Sequence, residues 1–231
     1  MASVTGRIKN NRVTVEMGDI TQSCAEAIVV PQFTNCSSYG GVGGSVARSG
    51  ARVGMQTYDA FISEQGEQKY GSVLLTPAGG GGSDYLLHVA SLGSGADSEF
   101  NTIKTSMFNV LKVAEENGVD SIAAPALGTG IVGSLTGKQS AEAMMSAIKE
   151  YADKGGKPIN IRFVIYGDKN AFDRFSDALK SDSFSFANEK QLGKKPFNMA
   201  SWVTGMARDA NANKKKFGSE NGPDNFLGGP S

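Results

Sequence analysis

The sequence predicts a three-layer α/β/α fold with a mixed, mostly parallel central sheet. Two patterns carry that expectation. Short runs of strand periodicity alternate along the chain with longer runs of helical periodicity, the order that builds a parallel sheet covered on both faces. Many of the 30 glycines cluster where strands should end, which is where open α/β sheets hold their ligands.

The elements follow in order. Val13, Val15 and Met17 alternate with polar residues, so 12–18 is a half-buried strand. The short apolar run 27–30 reads as a buried strand, and a loop rich in Gly, Ser and Asn follows over 32–44. A helix weakened by Gly50 and Gly54 is expected over 45–63. Strands over 72–76 and 85–90 flank a flexible turn at 79–82. Phe100, Ile103, Met107, Val110 and Ala114 recur at spacings of three and four, marking an amphipathic helix that Gly118 ends. A strand over 122–127 runs into Pro125, which leads it out of the sheet. Thr136 and Gln139 have capping-box spacing ahead of a helix carrying Ala141, Met144, Ile148 and Tyr151. The last strand is 161–166, after which Asp168 caps a helix with Phe172, Phe175 and Leu179 inward.

Composition narrows the class. At 231 residues the chain holds one domain with a real core and an extension. The boundary is expected to leave a domain at 5–182 and a polar, mostly disordered extension at 183–231, with one short docking helix near Trp202 and a solvated lysine triplet at 214–216. A net charge of +0, with no basic stripe in the first part of the chain, gives no argument for duplex nucleic acid as a partner. No apolar run reaches the roughly 18 residues of a membrane span, and the N-terminus lacks a signal-peptide core. Two cysteines are too few for a disulfide framework, so a cytoplasmic location is expected. His88 is the sole histidine, which excludes a multi-histidine metal site; it lies in an apolar strand and reads as structural. Cys36 has no second histidine nearby in sequence to activate it. No metal or cofactor is expected.

Three segments carry chemistry: 18–21, 39–46 and 126–133. The last two are glycine-rich and run from strand ends. A diphosphate needs several backbone N–H groups converging on one spot, and glycine lets backbone approach it closely. A helix N-terminus adds a favourable dipole. No lysine lies in either segment, so neither is a Walker A loop, and the Gly-x-Gly-x-x-Gly dinucleotide spacing is not met. Alone, Asp19 also reads as a strand terminator and Tyr166 as a strand-end aromatic.

Together these motifs resemble the macrodomain family, in order and over 7–180. Val15-x-x-Gly18-Asp19-Ile20-Thr21 is similar to its first strand and adenine-recognition turn, and Gly40-Gly41-Val42-Gly43-Gly44 to its ribose–phosphate loop. Thr76-Pro77-Ala78-Gly79 with Leu87-His88-Val89 resembles its central hairpin. Pro125-Ala126-Leu127-Gly128-Thr129-Gly130-Ile131-Val132-Gly133 is similar to its second phosphate loop, and Phe163-Val164-Ile165-Tyr166 to its last strand. The resemblance implies a binder of ADP-ribose, a related nucleotide or an ADP-ribosylated protein. It implies that Asp19 accepts from the adenine amino group with the Ile20 amide assisting, and that Tyr166 packs on the adenine. Gly40, Gly41, Val42, Gly43 and Gly44, with Gly128, Thr129, Gly130 and Ile131, would line the diphosphate, and Val132 the distal ribose. Hydrolysis of the bound adduct is the alternative. For it, Asn35 is the nearest match to the family's catalytic asparagine, about one place off register, and Gly43 stands where many hydrolases carry an acid.

Overall fold

The computed structural model describes residues 2–93 and 96–182. Seven strands form one sheet: β1 (Ser3–Ile8), β2 (Asn11–Met17), β3 (Ala27–Phe33), β4 (Val73–Pro77), β5 (Tyr85–Leu92), β6 (Ser121–Ala124) and β7 (Asn160–Ile165), in the order β1-β2-β7-β6-β3-β5-β4. The five inner strands are parallel, while β1 and β4 pair antiparallel at the two edges. The helices are α1 (Gly41–Arg48), α2 (Arg52–Gln65), α3 (Ala96–Glu116), α4 (Gly137–Asp153) and α5 (Lys169–Asp182), with a 3-10 turn at Ile20–Gln22. The mixed, mostly parallel sheet is the one expected from the sequence.

Strand alternation sorts the helices into two layers. Ile28 and Val30 of β3, Leu86 of β5, Ala123 of β6 and Val164 of β7 share one core with Val46 of α1 and Met55 of α2. The residues between them face the other way. There Phe163 meets Phe175 of α5 with ring centroids 5.1 Å apart, and α5 packs on α4, which packs on α3. Two caps act at the expected spacing. Thr136 Oγ1 accepts from the Gln139 amide at 3.2 Å while Gln139 Oε1 accepts from the Thr136 amide at 3.0 Å. Asp168 Oδ1 accepts from the Ala171 amide at 2.9 Å.

Several expectations are corrected. β1 is a strand without a clear apolar alternation, because Gly6 occupies one of its inward positions. The helix expected over 45–63 is two helices, parted where Gly50 takes φ +113°. A Cβ on Gly80 would lie 2.5 Å from the Gly50 carbonyl, so the helix breaks where the glycine turn passes against it. The 32–44 loop is shorter than expected at both ends, since β3 runs on to Phe33 and Gly41–Gly44 form the first turn of α1. The strand expected over 122–127 stops at Ala124, before Pro125. The hairpin of β4 and β5 lies at the sheet edge, not its centre. The expected extension at 183–231, with Trp202 and 214–216, lies outside the described residues.

Candidate functional site

The sheet opens between β3 and β6. These strands pair only at Ala27–Ile122 and Ile28–Ala123. Beyond that point β3 continues to Phe33 while β6 ends at Ala124, so the pair separates at its carboxyl end. From β3 the chain passes to α1 on one face; from β6 it passes to α4 on the other. That reversal is a topological switch point, the place where open α/β sheets form a ligand crevice. The glycine segments 35–44 and 126–135 follow these two strands. Asp19 follows β2 and Tyr166 follows β7, the next strands along, and the Gly18 amide donates to Ile165 O at 3.0 Å. All the expected site residues therefore leave the carboxyl ends of four consecutive strands.

The first segment ends as a helix N-terminus without a side-chain cap. Gly40 is the N-cap, and Gly44 is the first residue to donate into the helix, to Gly40 O at 3.1 Å. The amides of Gly41, Val42 and Gly43 thus have no helical acceptor. The glycines differ in role. A Cβ on Gly43 would lie 1.9 Å from Ser38 O, and one on Gly44 2.3 Å from Tyr39 O, so close packing of the chain on itself requires both. Cβ atoms on Gly40 and Gly41 would meet nothing within 4 Å.

The approach to this helix is laced to α2. The Tyr58 hydroxyl donates to Phe33 O at 3.0 Å, and the Tyr39 hydroxyl donates to Asp59 Oδ2 at 2.7 Å. The Asp59 hydrogen bond is the largest cause holding the Tyr39 phenol above its ordinary pKa. Below it lies a fully buried polar chain. Gln32 Oε1 accepts from the Ser38 amide at 2.5 Å, and that donor fixes which way the Gln32 amide points. Gln32 Nε2 therefore donates to His88 Nδ1 at 2.9 Å, so the other ring nitrogen carries the proton and donates to Thr76 Oγ1 at 2.9 Å. Tyr58 stacks on the imidazole at 4.9 Å. Burial drives the His88 pKa down to about 3, so the ring is neutral at physiological pH. Its structural reading holds.

The second segment is irregular. Gly133 donates to Gly130 O at 2.9 Å, closing a turn, and Leu135 donates to Gly128 O at 3.0 Å, closing the wider loop that encloses it. A Cβ on Gly133 would lie 2.1 Å from Gly128 O, whereas Gly130 faces open space. Among the described residues, the amides of Thr129, Gly130, Ile131 and Val132 have no backbone acceptor. Ile131 and Val132 are exposed large apolar side chains. Glu99 of α3, only 3% exposed, anchors the far end: its carboxylate accepts from the Ser134 amide at 2.9 Å and from the Ser134 hydroxyl.

At the β2 end, Asp19 Oδ1 caps the 3-10 turn by accepting from the Thr21 amide and hydroxyl, both at 2.9 Å, and the residue stays exposed. Ile20 is buried in the same core cluster as Val46, so its side chain is committed to packing. Tyr166 is 82% exposed, an apolar face with nothing stacked on it among the described residues. Asn35 is exposed on the loop past β3. Sequence reasoning missed Gln32, Glu99 and the Tyr39–Asp59 pair. A signal for Gln32 was present, since it falls in phase with inward-facing Ile28 and Val30.

Elsewhere, a groove of about 400 Å³ between α4 and α5 mixes Lys138, Lys149 and Arg174 with Glu142 and Asp177 and lacks the uncapped amides. No group of three metal-ligating side chains occurs among the described residues. No helix among them is long and apolar enough to cross a membrane.

The comparisons with known proteins agree with this geometry. Residues 34–145 match the family model described as Macro domain. An uncharacterized protein of Pyrobaculum aerophilum is 32% identical over 168 residues, covering 73% of this chain and 91% of that protein. The O-acetyl-ADP-ribose deacetylase of Salmonella typhimurium is 29% identical over 163 residues, covering 70% and 90%. Among solved structures, the Oceanobacillus iheyensis macrodomain with MES bound superimposes with a TM-score of 0.69 at 19% identity, over 78% of this chain and 96% of that one. The Trypanosoma brucei macrodomain in complex with ADP-ribose gives 0.61 at 19% identity, over 71% and 68%. At these identities the structures speak to the fold.

Proposed function

The chain belongs to the macrodomain family, and from that premise we propose that it binds ADP-ribose, free or as part of a nucleotide or a modified protein. One observation carries the reading. Two sets of backbone amides without a backbone acceptor among the described residues, 41–43 and 129–132, flank the opening between β3 and β6. Such amides favour a diphosphate, and the α1 dipole adds to the first set. In this reading Asp19 accepts from the adenine amino group beside the Ile20 amide, Tyr166 covers the adenine face, and Val132 borders the distal ribose. A calorimetric titration tests it: ADP-ribose is expected to bind, with AMP weaker. Equal affinities would remove the two-segment grip.

Hydrolysis is the second reading, favoured by relatives named O-acetyl-ADP-ribose deacetylase. In it Asn35 positions the distal ribose and the attacking water. Position 43 cannot supply the base in this backbone, because any side chain there would meet the Ser38 carbonyl at 1.9 Å. Positioning of water against a correctly held ribose would have to suffice. Both cysteines are free, which suits a reducing cytoplasm. The domain is proposed to span 5–182, with 183–231 as an extension dispensable for ligand binding.

A further inference from the structure

We infer that Gln32 is a positioning residue for the diphosphate grip, fixing the first glycine segment from inside the core with His88 and Thr76 behind it. This rests on the ligand reading above. β3 is apolar over Ala27–Val30, yet position 32 holds a glutamine with no exposed surface. A buried amide is unfavourable unless its hydrogen bonds are made, and an aliphatic side chain would fill the space without that demand. The demand is met in full on the side that matters. Oε1 takes the Ser38 amide at 2.5 Å, and Nε2 is held by His88 Nδ1 at 2.9 Å, itself oriented through Thr76 at 2.9 Å. The chain of bonds runs from the edge strand β4 across β5 and β3 and ends on one residue of the loop.

That residue is mechanically connected to the amides of α1. Ser38 offers its N–H to Gln32, while its carbonyl lies where a Cβ of Gly43 would come within 1.9 Å. The loop backbone is thus pinned by Gln32 on one side and seats the first turn of α1 on the other. A shift of Ser38 moves the uncapped amides at 41–43. Preorganised donors bind an anion without reordering on arrival, so loosening them lowers affinity for the group they hold. The groups facing His88 are Gln32 on β3, Thr76 on β4, and Tyr58, Asp59 and the Gly54 backbone on α2; Asp59 and Tyr58 are the titratable ones, and burial holds the Tyr58 phenol protonated.

The experiment uses the full chain and two variants. Gln32→Met keeps the volume but cannot accept from Ser38. Gln32→Glu keeps the acceptor but cannot donate to His88 Nδ1, so its carboxylate invites a proton onto the imidazole. Affinities for ADP-ribose and AMP are measured by calorimetry, Ser38 amide exchange by NMR, and folding by thermal melts. For Gln32→Met we expect faster Ser38 exchange, a loss of about tenfold for ADP-ribose, and a loss of no more than about twofold for AMP. For Gln32→Glu we expect ADP-ribose affinity to improve as pH falls from about 8 to about 5.5, where the wild type stays flat, as His88 gains its proton. Equal losses for both ligands in a folded variant, or unchanged ADP-ribose affinity, would overturn the inference. Should the wild type bind no ADP-ribose, the functional reading fails instead; unchanged Ser38 exchange in Gln32→Met would still refute the latch.

Discussion

The two glycine-rich segments solve one problem by different means. The first, 35–44, is regular where it matters: its amides are the opening of α1, and it is held to α2 by a surface hydrogen bond and to buried Gln32 from the core. The second, 126–135, has no regular structure, closes on itself through a turn nested in a wider loop, and is tied down at its far end by Glu99. Helical geometry aims the first set of donors; a single buried carboxylate steadies the second. The difference teaches that a glycine-rich motif is not one device. Gly43, Gly44 and Gly133 are small because the chain packs on itself there, and Gly40, Gly41 and Gly130 leave open space.

The largest expected effect separates those two kinds of glycine. Gly130→Val should leave the melting temperature near that of the wild type, since its Cβ meets nothing within 4 Å. It should weaken ADP-ribose binding by more than about a hundredfold, because the side chain fills the path to the phosphates. Gly43→Ala should lower stability and affinity together, its Cβ being forced against Ser38 O at 1.9 Å. If Gly130→Val bound normally, the second segment would not be a phosphate grip. If Gly43→Ala melted like the wild type, the packing account of the first would be wrong.

Acid should lower the folding stability of the domain through His88, although the ring stays neutral in the folded state. The folded His88 has a pKa of about 3, below its usual value of about 6.5 when unfolded. A depressed base binds protons better in the unfolded state, so its contribution is intact above about pH 6.5 and is lost as pH falls toward 3. The slope is about 1.4 kcal/mol per pH unit inside that window. Urea melts at pH 7, 6 and 5 of the wild type and His88→Phe check this; the same acid slope in both would acquit the histidine.

Much of this was legible in advance. The alternation of strands and helices, the Thr136–Gln139 box and the Asp168 cap all depend on residues close in sequence, where periodicity and spacing carry information. What was not legible depends on distant partners. β1 hid because Gly6 sits at an inward position, and the joint between α1 and α2 needs the turn at 79–82 to lie against Gly50. At the site, sequence shows a run of glycines but not which carbonyl each one passes. Glu99 gave no hint, as its partner Ser134 lies 35 positions away.

Removing that carboxylate probes the second segment alone. Glu99→Ala deletes the acceptor for the Ser134 amide and hydroxyl. Ser134 is exposed, so water can satisfy its groups, and the stability loss should stay near about 1 kcal/mol. ADP-ribose affinity should fall by about tenfold as the donors at 129–132 lose their fixed geometry. Amide exchange should quicken around 129–134 and stay unchanged at Ser38. Quickening at both places would mean that the segments share one support.

The smallest expected effect bears on chemistry. Asn35 lies beyond the end of β3 in the loop leading to α1, exposed rather than fixed by the sheet. In a binder it contributes one ribose hydrogen bond, so Asn35→Ala should cost about 0.5–1.5 kcal/mol of ADP-ribose affinity. In a hydrolase it would hold the distal ribose and water at the moment of attack. Turnover of O-acetyl-ADP-ribose would then fall by far more than affinity, the mark of an interaction used mainly in the transition state. We expect the first outcome, because position 43 has no room for an acid and Asn35 stands on the less constrained part of the first segment. Titration and turnover on the same preparations decide it. A wild type that releases acetate at enzymatic rates, beside an Asn35→Ala that binds but does not turn over, would show that the loop past β3 is held more firmly with ligand in place than its exposure suggests.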